Sequence, residues 1–131
     1  MAISSRALSF LGAAWVLFAV TTLAGAQNAA EGKKLYASYC STCHGENGKG
    51  DGVAASAFPV KPTDHTNGTI MNQISDQFLH EIISRGGSAV GKSSFMPAWG
   101  SALDEKQIRD LITYLRSIAA PAYKGGKPVA K

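Results

Sequence analysis

The sequence predicts an all-α domain of three main helices joined by long loops. Three observations predict it. Apolar residues recur at intervals of three and four in three separate stretches. Helix start and stop signals bracket the second and third of these. No stretch makes a convincing strand, and no internal repeat is visible. A length of 131 residues favours one domain, and a chain that is 45% hydrophobic and 17% charged is ordinary for a globular protein.

The first helix is expected over residues 29–40. Gly32, Tyr36, Tyr39 and Cys40 fall at helical intervals, so one face can pack inward. Turn formers follow (Gly45, Asn47, Gly48, Gly50, Asp51, Gly52). Pro62 then disfavours helix at the residue before it. The second helix is expected over residues 76–85, capped by Ser75 or Asp76 and carrying the stripe Phe78, Leu79, Ile82 and Ile83. Gly86-Gly87 stops it, because glycine tolerates the left-handed geometry at a helix end. The third is expected over residues 104–119. Asp104 and Gln107 form a capping box, flanked by Leu103 and Ile108 in the staple positions. Ile108, Leu111, Ile112, Leu115 and Ile118 make its buried face, and Pro121 lies just past its end. Three short helices with glycine-rich connections enclose a thin core. That shortfall points to something large and apolar held between them.

The segment ahead of the first helix reads as an export signal. Arg6 precedes an almost wholly apolar run over residues 7–20, and Ala24-Gly25-Ala26 fits the small-x-small cleavage pattern. Cleavage is expected after Ala26, which divides the chain into a signal at 1–26, a domain at 27–120 and a flexible tail at 121–131. An uncleaved anchor is the competing reading, since the run approaches the shortest bilayer-spanning length. The formal charge of +4 is mild and diffuse. It suits docking on an acidic partner and gives no ground for nucleic-acid binding.

Export changes how the two cysteines read. A structural disulfide is the usual expectation in an oxidising compartment. Cys40 and Cys43, however, are followed at once by His44, in the pattern of c-type haem attachment. Two thiols three positions apart on a helical turn can each add to a vinyl group of one porphyrin, and His44 can then reach its iron. A thioredoxin-like dithiol would need a preceding strand and a parallel sheet, and neither is predicted. A structural zinc would need a fourth ligand, and Cys40, Cys43 and His44 are too contiguous to share one tetrahedral ion comfortably. One covalent haem c per chain is therefore expected.

Met71, Met96, His65 and His80 are candidates for the second axial position. Met96 is preferred, because Pro97 holds its loop extended and that loop joins the second and third helices. Met71 reads as core packing. His80 falls outside the apolar stripe and reads as surface.

These residues resemble those of the class I cytochromes c, small monohaem proteins with His/Met ligation, and the resemblance covers residues 29–119. Cys40, Cys43 and His44 match the attachment motif. Gly32 and Tyr36 match the glycine and aromatic of the first helix, and Leu111 and Tyr114 match positions of the last. The resemblance implies a cytochrome c fold in which these two helices cross nearly at right angles, with Gly32 at the closest approach. It implies His44 and Met96 as proximal and distal ligands, and Pro62 as the residue whose carbonyl fixes the His44 Nδ1 proton. His65 stands near a position where the family usually has leucine; it is given no haem role, and an outward orientation is open. Trp99 is either a haem-propionate partner or a packing residue.

A His/Met haem has no open position, so the resemblance implies a periplasmic single-electron carrier and not an enzyme. Its partners would be a transient redox donor and acceptor, with docking on a membrane complex and no small-molecule substrate. The alternatives are a haem subunit held in an oxidase or a periplasmic dehydrogenase, and a gas-binding or peroxidatic haem that lacks the Met96 bond.

Overall fold

The computed structural model describes residues 27–124. The expected signal segment and residues 125–131 lie outside that range. Five α-helices are present among the described residues: α1 (Ala29–Tyr39), α2 (Ser41–His44), α3 (Gly68–Met71), α4 (Asp76–Arg85) and α5 (Glu105–Ile118). Short 3-10 turns occur at Ala55–Ala57 and Ser88–Val90. The only sheet-like pairing among them is an isolated bridge between Asn67 and Ala120. The all-α expectation holds, and α1, α4 and α5 are the three expected helices.

Local chemistry sets each boundary. The Asn28 side chain accepts the backbone N–H groups of Ala30 and Glu31 and starts α1. The expected first helix breaks at Cys40, which has φ −117°, and resumes as the single turn α2. Ser75 caps α4 by accepting from Phe78 N at 3.0 Å. Gly86 ends α4 with φ 81° and ψ 166°. That φ favours glycine, but the ψ is not that of the left-handed helix. The capping box of α5 is present, with Gln107 N donating to Asp104 Oδ1 and Asp104 N to Gln107 Oε1.

Helices α1 and α5 form the central crossing. A Cβ at Gly32 would overlap the Asp110 carbonyl and stand 2.9 Å from Tyr114 Cβ, so only glycine permits this approach. The core around the crossing comprises Tyr36, Leu111, Ile112, Tyr114 and Leu115, continued by Leu79 and Ile83 of α4 and Met71 of α3. The α4 stripe divides: Leu79 and Ile83 are buried in the core, while Phe78 and Ile82 are half-buried on a cavity wall. Arg116 ties α5 to the α3–α4 segment. It donates to the carbonyls of Met71 and Ile74, each at 2.6 Å, and pairs with Asp76. The Tyr123 ring lies 4.0 Å from its guanidinium, and Asn72 Nδ2 donates to Pro121 O, so the first residues after α5 are held against the domain.

Candidate haem site

The helices leave a cavity of about 400 Å³ between α1–α2, α4 and the loops that join them. Cys40, Cys43, His44 and Met96 all line it, together with a mainly apolar wall that includes Leu79, Ile83, Leu111 and Leu115. All four residues selected from the sequence thus meet at one cavity. The other two candidate methionine and histidine ligands on its wall are Met71 and His65. Met71 is fully buried in the core, as the sequence reading expected. His80 is not on the wall; it pairs with Glu105 at 2.8 Å.

The break in helix at Cys40 puts both thiols and His44 on the cavity wall. Cys40 and Cys43 are not joined in a disulfide, and burial, followed by the neighbouring Cys43, pushes the Cys40 thiol up to about 12. A reactive dithiol needs the opposite shift, so the environment of Cys40 argues against the thioredoxin-like reading.

Burial lowers the affinity of His44 for a proton, opposed by its hydrogen bond to the Thr63 carbonyl, and the net shift is downward. His44 Nδ1 lies 3.1 Å from Thr63 O. A carbonyl can only accept, so Nδ1 carries the hydrogen and Nε2 of the neutral ring keeps its lone pair. The expected partner was Pro62, and the structure corrects it by one residue. The Pro62 carbonyl is turned instead toward Gly50, where a Cβ would overlap it. The sequence carries no signal for this choice, because every residue offers a carbonyl.

His65 is turned inward. Its ring stacks on His44 with centroids 4.2 Å apart and planes 19° from parallel. Its Nδ1 lies 3.4 Å from the Tyr36 hydroxyl. Burial, followed by the proximity of His44, pushes its imidazole down to about 3, so it is neutral.

Met96 is half-buried and rests on the glycine pair that ends α4. Gly87 N donates to Met96 O at 2.9 Å, and Lys92 N to Gly87 O at 2.8 Å. A Cβ at Gly87 would overlap the Ser93 carbonyl and stand 3.2 Å from Met96 Cβ; one at Gly86 would stand 3.0 Å from Met96 O. In the sequence, Gly86-Gly87 is legible only as a helix stop. The pair is also the seat of the Met96 loop. Trp99 packs edge-on against Tyr39 at 5.2 Å and lines the same cavity. At the mouth, Phe58 meets the half-exposed Phe95 at 5.1 Å.

This set of residues fits haem c. Two thiols and a neutral imidazole with a free Nε2 share a wall, a thioether reaches the same cavity, and the lining is mainly apolar.

Comparison with known proteins agrees. Residues 27–115 match the family model described as cytochrome c oxidase, cbb3-type, subunit III. The cbb3-type cytochrome c oxidase subunit FixP of Azorhizobium caulinodans is 36% identical over 103 residues, covering 78% of this chain and 33% of FixP. The chain therefore spans about a third of that curated relative's length. Among solved structures, the reducing HAO-like protein complex Kustc0457/Kustc0458 of Kuenenia stuttgartiensis aligns with a TM-score of 0.61 at 28% identity, over 77% of this chain and 47% of the other. The KustC0563 c-type cytochrome aligns with a TM-score of 0.56 at 22% identity, over 67% of this chain and 96% of the other, and supports the fold alone. The chain belongs to the cbb3-type cytochrome c oxidase subunit III family, with a cytochrome c fold and covalently bound haem c.

Proposed function

We propose that the domain carries single electrons outside the cytoplasm, with Cys40 and Cys43 as the thioether attachment points and His44 and Met96 as the two axial ligands. The observation that carries this reading is the convergence of all four side chains on one cavity. When bound, the haem supplies a one-electron Fe(III)/Fe(II) couple. The chain's residues do the rest. Thr63 fixes the tautomer of His44. The Met96 thioether is a soft donor that favours the reduced iron. The apolar wall excludes water, which acts in the same direction. With both axial positions filled, no site remains for a small-molecule substrate, so the domain itself is a carrier and not a catalyst.

Residues 1–26 are read as the export signal that delivers the chain to the periplasm, cleaved after Ala26. Redox partners meet the domain transiently, at the cavity mouth.

A second reading is favoured by the relative FixP, named as an oxidase subunit and about three times as long as the aligned region. In it, the domain works inside a membrane oxidase or dehydrogenase complex. Two measurements on the native protein test these proposals. Acidified organic solvent should fail to extract the haem, and release of free haem would refute thioether attachment. Size-exclusion chromatography separates the roles: elution as a small monomer supports the shuttle, and co-elution with a large complex supports the subunit.

A further inference from the structure

Nothing in the sequence gives His65 a haem role, yet the structure places its ring flat against His44. Three contacts hold it there. The backbone N–H of His65 donates to Gly48 O at 2.6 Å. Asp64 Oδ1 accepts from both N and Oγ1 of Thr66, which tightens the turn around His65. Tyr36, only 1% exposed, meets the His65 ring edge-on at 5.9 Å, with its hydroxyl 3.4 Å from Nδ1. Tyr36 is itself wedged against Tyr114 of α5 at 5.2 Å.

His44 therefore has two constraints from one three-residue segment. The Thr63 carbonyl fixes the direction of the Nδ1–H bond. Together with the Cβ–Cγ bond, that 3.1 Å hydrogen bond sets the ring plane but yields to rocking about Cβ–Cγ. The parallel ring of His65 blocks that rocking and holds the plane.

We propose that His65 is a positioning residue: its stacked ring holds the plane of the His44 imidazole and thereby the orientation of that ligand over the haem. This rests on the His44 assignment made above. An aliphatic side chain of similar size would fill the space without imposing a plane. A phenyl ring would impose the plane without the imidazole's polarity.

Paramagnetic NMR and EPR of the ferric holoprotein read ligand-plane orientation directly, through the spread of the haem-methyl shifts and the g-anisotropy. The wild-type spectrum first tests the ligand assignment, since shifted signals from the His44 ring and the Met96 methyl must both appear. Absence of the His44 signals overturns that assignment, and with it the role of His65. With them present, His65→Leu is expected to change the methyl-shift pattern and the g-values while far-UV helicity stays at the wild-type level. His65→Phe is expected to restore the wild-type pattern. An unchanged pattern in His65→Leu, or a pattern in His65→Phe as altered as that in His65→Leu, overturns the proposal. Should His65→Leu fail to mature, His65→Phe alone decides: a wild-type pattern supports the stack and a changed one overturns it.

Discussion

Gly32 and Asp110 face each other where α1 and α5 cross. The absent Cβ of Gly32 lets the backbone of α1 lie on the Asp110 carbonyl. Gly32→Ala forces the helices apart, a cost of about 1–3 kcal/mol by analogy with overpacked cores. Denaturant unfolding should show a lower midpoint with an unchanged slope. The Asp110 side chain, 1% exposed, accepts Asn28 N at 2.8 Å and Lys106 Nζ at 2.6 Å. Burial opposes its charge, but these partners outweigh burial and hold its carboxyl below the usual range. A depressed carboxylate contributes stability above its unfolded value of 3.8 and loses it as pH falls through the lower folded value. Asp110→Asn should therefore be less stable at pH 7 by about 1 kcal/mol, given the half-exposed lysine partner. Unfolding followed against pH should show that deficit shrinking as pH falls below the ordinary carboxylate range. The role of Gly32 was legible only through the family resemblance, which matched it and Tyr36 to the first helix; its spacing alone marked an inward face. Asp110 was not legible, because its partner Asn28 lies 82 residues away and nothing local marks a buried carboxylate.

Helices with chemical punctuation were legible at both ends. The Asp104–Gln107 box and the Ser75 cap sit where the sequence put them. The single turns α2 and α3 were not, since four residues show no periodicity. The Met96 loop was only half legible: Pro97 marked it as extended, but its seat on Gly86-Gly87 depends on tertiary contact. That seat makes a prediction about the loop as a unit. Gly87→Val places a branched side chain against the Ser93 carbonyl and Met96 Cβ, so the loop must lift and carry the Met96 sulfur away. Carbon monoxide binding to the reduced protein should be slow in the wild type and at least tenfold faster in Gly87→Val. Equal rates would mean that the glycine pair does not seat the ligand. The one-residue error at Pro62 has the same origin as the miss at His65. Both concern which atoms of an irregular loop turn inward, and composition does not record that.

For the whole domain, the thin core inferred from three short helices appears as a cavity of about 400 Å³ walled mainly by apolar side chains. Left unfilled, that wall lacks the packing partners that a small domain needs for its stability. Preventing attachment with Cys40→Ala and Cys43→Ala together should therefore leave a chain that keeps much of its far-UV helical signal but loses near-UV signal and cooperative melting. Cooperative unfolding with intact near-UV signal would show that the polypeptide core suffices alone.

The central claim is that the cavity holds a haem with His44 and Met96 as its two axial ligands. Far-red absorption of the ferric protein tests it most directly, through the weak band that arises from iron–thioether ligation. The band is expected in the wild type and in Met71→Leu, and is expected to be lost completely in Met96→Ala. A wild-type spectrum without the band, or a band that survives in Met96→Ala, would contradict it.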